Sequence, residues 1–445
     1  MKNNTSFLVR SAWIAGLGGF LFGFDTAVIS GAEKSIQQLF QLNGFWHGFT
    51  VAIALIGTIA GAIAAGKPAD VFGRKKSLSV IALLYFFSAL GAALAQNWAG
   101  LLIFRFLGGL AVGASSVIGP MYIAEIAPAG KRGRLVALFQ LNVVTGILIA
   151  FISNYVIALI TDQSSWRWML GVQTLPAAIF FALLFAIPET PRWLVMRNEN
   201  KKATEILEKL GEANAAEQVA AIEDSISSEK HIKSERLFVA KLKFPIILAF
   251  LVAFFNQFSG INAIMYYAPR IFELAGLDRT SSLFQSVSVG FTNLIFTIIA
   301  LFIIDKIGRK KLLLIGAIGM VFMLCLVSLS FVTGRFGGAA VIIGLVGFIA
   351  FFAASQGAVI WVFISEIFPN KLRAKGQALG SFSHWLLAAL VSWVFPVIAT
   401  GNTRSTGLAF AFFGLMMLIQ FVVVFLVFPE TKGKGLEQIQ NDFGL

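Results

Sequence analysis

Apolar residues run through this chain in long, nearly unbroken stretches. They follow neither the strict alternation of a half-buried strand nor the one-sided stripe of a surface helix. A helix crosses a bilayer with about 20 apolar residues. Twelve stretches of that kind can be placed. They begin near Leu8, Trp46, Ser77, Ala99, Leu135, Arg167, Phe244, Leu283, Leu312, Gly338, Gly376 and Thr406. The pattern predicts an all-α membrane protein with twelve transmembrane helices. One interval breaks the rhythm. Residues 188–243 are mostly polar, and "NKKATEILEKLGEANAAEQVAAIEDSISSEK" carries helical spacing with i,i+4 charge pairs. Two or three short helices are expected there. The chain thus divides into six helices over 1–187, a helical linker over 188–243, six helices over 244–430 and a short tail over 431–445.

Composition sharpens this picture. Of 445 residues, 58% are hydrophobic and 13% charged, with a mean hydropathy of +0.83. A soluble chain of this size could not cover its surface with so few charges, so the lipid bilayer is the expected partner. The net charge of +13 would by itself suggest nucleic acid, but its distribution argues otherwise. Dense basic loops ("GKPADVFGRKKS", "APAGKRGR", "DKIGRKK", "FPNKLRAKG") alternate with sparse ones ("AQNWAG", "TDQSSWRW"). That is the positive-inside pattern; it puts both termini in the cytoplasm and excludes nucleic acid as a partner. The first apolar run continues past Gly31 without a cleavage pattern and is expected to be a retained helix. Cys325 is the only cysteine, so no disulfide can form within the chain.

The chain also repeats itself. "DVFGRKK" from Asp70 returns as "DKIGRKK" from Asp305, "EIAPAGKRGR" from Glu125 as "EIFPNKLRAK" from Glu366, and "PET" at Pro188 as "PET" at Pro429. Three motifs in register mark a duplicated six-helix unit, the arrangement of transporters whose two halves rock around a central site. Gly73 and Gly308 permit the tight turns of the basic loops. Asp70 and Asp305 can accept from a neighbouring Arg or Lys. These carboxylates, with Arg74, Arg309, Glu125, Glu366, Glu189, Arg132 and Arg373, form a candidate cytoplasmic latch, since carboxylates are not needed for topology alone. The glycine pairs Gly57/Gly61 and Gly109/Gly113 are expected to bring helices close together and to have no chemical role.

Two charges lie well inside apolar runs. Asp25 interrupts "GFLFGFDTAVISGA", where a carboxylate costs roughly 2.5–3.5 kcal/mol on insertion scales. Arg105 lies in the fourth run. Counted from the expected helix ends at 1.5 Å per residue, both sit about 10 Å below the outer surface, and equal depth allows them to pair. No nucleophile–base constellation, phosphate loop or metal-ligand cluster is found, and the three histidines, His47, His231 and His384, lie in separate regions, so the chain is not expected to be an enzyme.

The chain resembles the sugar porter family of the major facilitator superfamily over essentially its whole length. The resemblance is carried by "GFDTAVISGA", "RFLGG", "PMYIAEIAP", "PETPRWL", "NQFSGINAIMYYAP", "SEIFP" and "PETKGKGLEQI". Bacterial proton-coupled xylose and arabinose transporters and glucose facilitators look closest. The resemblance implies the major facilitator fold, two pseudo-symmetric six-helix halves, and a central pocket for one monosaccharide. It also implies sugar contacts at Gln140, Asn256, Gln257, Asn262, Asn293, Trp361 and His384, and an outer gate at Tyr266 and Tyr267. Amides suit sugar hydroxyls, and an aromatic face suits the C–H side of the ring. Four positions depart from the family pattern. His384 replaces an amide, Asn256 shortens a glutamine, Ala358 replaces a proline so that the tenth helix is expected to break differently, and Val71 replaces an arginine.

The family places the Asp25–Arg105 pair in its proton-coupled members. With Arg105 close, Asp25 stays ionised; once Arg105 moves away, a buried carboxylate takes up a proton instead of remaining charged. The expectation is therefore a proton-coupled symporter importing a pentose or hexose by alternating access. The proton is the coupling ion and there is no other cofactor. A functional monomer in a bacterial inner membrane is expected, multi-pass with both termini cytoplasmic. The alternatives are a facilitative uniporter and, more remotely, a sugar-sensing receptor, for which the tail after Pro429 is short.

Overall fold

A computed structural model describes residues 2–161, 165–212, 214–231, 237–334, 337–369, 371–399, 403–433 and 438. The tail expected over 431–445 lies mostly outside them. Every regular element among the described residues is a helix. Twelve helical segments are long and apolar enough to cross a membrane, judged by length and composition. They are α1 Ser6–Leu39, α2 Gly44–Ala64, α3 Arg74–Leu94, α4 Trp98–Ile126, α5 Arg132–Ile160 and α6 Ser165–Ala186, then α7 Lys243–Leu274, α8 Arg279–Ile307, α9 Arg309–Thr333, α10 Gly338–Ile367, α11 Arg373–Ala399 and α12 Thr403–Val427. This is a multi-pass membrane protein. Between α6 and α7 the polar interval forms three short helices, Pro191–Met196, Asn200–Leu210 and Ala215–His231. The first two are closed by apolar contacts, with Leu194, Ala203, Leu207 and Leu210 buried.

The chain forms two compact units. The first comprises Met1–Thr26, Ile56–Ala150 and Arg167–Ser234, and the second Ala27–Leu55, Phe151–Trp166 and Glu235–Leu445. In the first, α2 and α4 meet through glycine, as expected. A Cβ at Gly57 would lie 2.4 Å from the Phe106 carbonyl oxygen, and one at Gly113 would lie 2.0 Å from that of Thr58. No larger residue fits such backbone contact. In the second, buried Leu248, Val252, Leu313, Ile360, Phe363 and Phe428 form the core at the basic end of α7, α9, α10 and α12.

Three spans are interrupted where polar residues must face inward. In α6 the helix Ser165–Gly171 stops before Gln173, and a second helix begins at Thr174. α7 is split between Phe258 and Ile261, with Gly260 at φ +88°. α10 is split at Ser355, where the backbone leaves the helical region at φ −126°, ψ −87°. Such breaks are tolerated at membrane depth only where protein or a cavity satisfies the freed backbone groups. The break in α10 falls before Gly357–Ala358, so it forms without a proline at 358.

One expectation is corrected. α1 does not end where its apolar run meets Glu33 and Lys34; it continues to Leu39, fourteen residues beyond Asp25. Arg105 lies seven residues after Trp98, where α4 starts. The longer helix changes where α1 ends, not the pairing: Arg105 and Asp25 are in direct hydrogen-bond contact and so lie at one depth, as expected. Glu33, Lys34 and Gln37 are good helix formers, and they carry the helix past its apolar stretch.

Candidate functional site

Asp25 and Arg105 are both buried, at 4% and 2% exposure. Arg105 Nη1 donates to Asp25 Oδ1 at 3.0 Å. Asp25 also takes a side-chain hydrogen bond from Gln173, at the break in α6. The remaining Arg105 nitrogens, Nε and Nη2, are buried without a partner among the described residues, so one hydrogen bond holds the guanidinium to the carboxylate. Gly108, one turn beyond Arg105, leaves room for the pair: a Cβ there would stand 2.5 Å from Ser88 Oγ and 3.4 Å from Asp25 Oδ1. The site is thus a carboxylate out of water, held by one cation and one neutral amide. Such a carboxylate tolerates its charge only while the cation stays.

A second polar cluster lies in the second unit, at the breaks of α7 and α10. Gln257 is fully buried. Its Nε2 donates to Asn256 Oδ1 at 2.9 Å and lies 3.1 and 3.3 Å from the two ring nitrogens of His384 on α11. Its Oε1 accepts from Asn262 Nδ2 at 2.6 Å, across the break in α7. Asn256 Nδ2 reaches the Gln356 carbonyl at 3.5 Å, and Gln356 Nε2 donates to Gln420 Oε1 at 2.6 Å. Trp361 stands with its ring centroid 5.0 Å from that of His384. The cluster therefore unites Asn256, Gln257, Asn262, Trp361 and His384. Asn293 lies half-buried on α8 in the same unit, and Gln140 lies half-buried on α5 in the first unit. Tyr267 is buried, and its hydroxyl donates to the Ser392 carbonyl at 3.0 Å; Tyr266 beside it is also buried. Sequence reasoning missed Gln173, Gln356 and Gln420. Each is a lone amide within an apolar run, the same signal that drew attention to Gln257.

The two basic loops are built alike to atomic detail. Arg74 Nη2 donates to Glu125 at 2.9 Å, and Arg309 Nη2 to Glu366 at 2.8 Å. Arg74 Nη1 meets Asp70 at 3.2 Å, and Arg309 Nη1 meets Asp305 at 3.0 Å. The N–H groups of Arg74 and Lys75 donate to Glu189, and those of Arg309 and Lys310 to Glu430. Each glutamate thus caps the positive N-terminus of the following helix, α3 or α9. Burial pushes the Glu189 carboxyl up from the ordinary glutamate range, and N–H groups of Thr190, Lys75 and Arg74 pull it part of the way back. Arg132 Nε donates to the Ala124 carbonyl at 3.2 Å, and Arg373 opens α11. Glu430 was not among the expected latch residues, although its "PET" motif was recognised as the repeat of that at Glu189.

Gly73 and Gly308 adopt φ +95° and +99°. A Cβ would stand 2.2 Å from Glu189 Oε2 at the first and 2.5 Å from Glu430 Oε2 at the second. Gly73→Ala and Gly308→Ala are each expected to destabilise the protein by about 1–3 kcal/mol. Thermal melts in detergent check this, with a serine at the open position Gly130 as control.

The family described as "Sugar (and other) transporter" matches residues 11–443. The arabinose-proton symporter of Bacillus subtilis is 36% identical over 448 residues, covering 99% of this chain and 96% of the relative. The D-xylose-proton symporter of Escherichia coli K12 is 35% identical over 473 residues, covering 98% and 96%. The solved inward-open structure of the Escherichia coli xylose transporter superposes with a TM-score of 0.87 at 34% identity, covering 98% of this chain and 99% of that one. The architecture described above is therefore the major facilitator fold.

Proposed function

We propose, on the premise that the chain belongs to the sugar (and other) transporter family and so to transporters rather than enzymes, that it imports a monosaccharide together with a proton. The observation that carries this reading is the buried Asp25–Arg105 pair. A transporter that only opened and closed around its sugar would have no use for a charge that costs several kcal/mol to bury unpaired. Similarity to symporters named for arabinose and xylose supports the reading. The basic loops between α2 and α3 and between α8 and α9 support a cytoplasmic location for that face and for both termini.

In the proposed cycle Asp25 takes up a proton from outside when Arg105 withdraws. With Asp25 neutral and a sugar bound, the loaded protein rocks inward; Arg105 returns and the proton leaves to the cytoplasm. The sugar is held by Gln140, Asn256, Gln257, Asn262, Asn293, Trp361 and His384. Tyr266 and Tyr267 close the outer path, and the Arg74 and Arg309 clusters brace the cytoplasmic face. No cofactor besides the proton and no partner subunit enters this cycle. The substrate is a pentose or hexose in a bacterial inner membrane.

Uptake into proteoliposomes tests this, with and without an outside-acid pH gradient, across xylose, arabinose, glucose, galactose and fructose. At least one sugar is expected to accumulate against its gradient when the outside is acid. Equilibration to equal concentrations regardless of pH would instead identify a uniporter.

A further inference from the structure

A second buried ionisable cluster lies at the end of the bundle opposite the basic loops, outside both groups of residues assigned above. Glu33, in the extension of α1, is 1% exposed, and His47, in the first turn of α2, is 0% exposed. His47 Nε2 lies 2.7 Å from Glu33 Oε2. The same oxygen accepts from Arg270 Nη1, on α7, at 3.2 Å. Arg270 Nη1 also donates to Gln37 Oε1 at 2.7 Å, and Gln37 Nε2 donates to the Leu42 carbonyl at 3.2 Å, in the turn between α1 and α2. The His47 ring faces Tyr267, centroid to centroid 5.9 Å. One residue further on, Lys34 pairs with Glu273 of α7. Consecutive residues of α1 thus carry opposite charges, each meeting its complement on α7. All of these residues belong to the second unit.

We propose that Glu33, His47 and Arg270 form a charged clasp that ties the ends of α1 and α2 to α7 and must break each time the transporter opens on this face. The inference rests on the proposed alternating access, in which the repeat holding α1 and α2 separates from the repeat holding α7. The physical case is the choice of residues. A buried ion pair adds little net stability over an apolar contact of the same shape. It differs in what opening exposes. Separated Glu33 and Arg270 are each solvated well by water, whereas a separated apolar clasp would leave bare hydrocarbon facing water. A contact that must be made and broken in every cycle is therefore better built from charges. His47 supplies a second donor to the carboxylate, so the closed form leaves little of Glu33 unsatisfied.

Two measurements test the clasp, and neither needs a proton gradient, so they stand even if the protein proves to be a uniporter. In a Cys325→Ser background, Ser30→Cys places a reporter thiol one turn inside the clasp, at a position 2% exposed in this structure. Adding Arg270→Gln strands the Glu33 charge in the closed form alone. Labelling by a membrane-impermeant thiol reagent, applied to intact cells, is expected to speed up roughly tenfold. Adding Glu33→Gln as well leaves no stranded charge, and the rate is expected to fall back toward that of the parent. Equal rates in parent and Arg270→Gln would overturn the proposal. Independently, Glu33→Cys with Arg270→Cys in the Cys325→Ser background is bridged with a bifunctional thiol reagent. Sugar exchange is expected to stop on bridging and return on reduction. Exchange that continues through the bridge would equally overturn the clasp, whatever the labelling rates.

Discussion

Replacing Asp25 with asparagine is expected to abolish accumulation of sugar against its gradient while leaving exchange of labelled for unlabelled sugar in place. One proton per sugar lets each unit of pH gradient support about a tenfold sugar gradient, since one pH unit is worth 1.36 kcal/mol. The variant carries no titratable group at position 25, so its accumulation ratio is expected to fall to about one at any pH gradient. Exchange survives because it needs only the loaded protein to rock back and forth. The new side chain still offers Arg105 an oxygen, so the hydrogen bond at 3.0 Å keeps an acceptor. Arg105→Leu is expected to be harsher. It strands Asp25 in a buried site with only Gln173, a loss of about 3–5 kcal/mol in stability if the carboxylate stays charged. Paired uptake and exchange assays on the same reconstituted batch check both variants.

The second large effect is expected at Gln257. Its amide reaches Asn256, Asn262 and His384, so it stands at the centre of the polar cluster. Removing it deletes the direct contacts proposed for the sugar and releases the neighbours it orders. Two lost hydrogen bonds at about 0.5–1.5 kcal/mol each predict a rise in KM of roughly 5- to 150-fold for Gln257→Ala. Gln420→Leu is the informative comparison, since Gln420 touches only Gln356 in this network. It is expected to lower thermal stability with a KM change of no more than about threefold. A Gln257→Ala variant with unchanged KM and lowered melting temperature would assign Gln257 to helix packing instead.

The spans were legible because an uninterrupted apolar run of bilayer length has one dominant reading; their starts lie within four residues of where the sequence put them. The repeat was legible because both copies of its charged motifs survive, and the structure builds the Arg74 and Arg309 clusters on the same plan. What the sequence hid was long-range or local-geometric. The end of α1 was misjudged because apolarity measures the membrane, whereas the helix continues wherever its residues favour it. The depth match between Asp25 and Arg105 survives that error, because it was in effect counted from the end of the apolar run, and the pair forms; the room that Gly108 leaves beside it is not revealed by a count along one helix. Gln173, Gln356 and Gln420 were passed over because a lone amide in an apolar run matches no motif. Glu33 and His47 lie fourteen residues apart on separate helices, and only the approach of Arg270 from α7 makes them a cluster.

The central claim is that one proton crosses with each sugar through Asp25. The most direct test adds the transported sugar to proteoliposomes in weakly buffered medium, with no starting gradients, and follows external pH. The account predicts sugar-dependent alkalinisation of the medium with the wild-type protein, abolished by a protonophore and absent with Asp25→Asn. Sugar entry without a pH change in the wild type, or an undiminished pH change in Asp25→Asn, would contradict it.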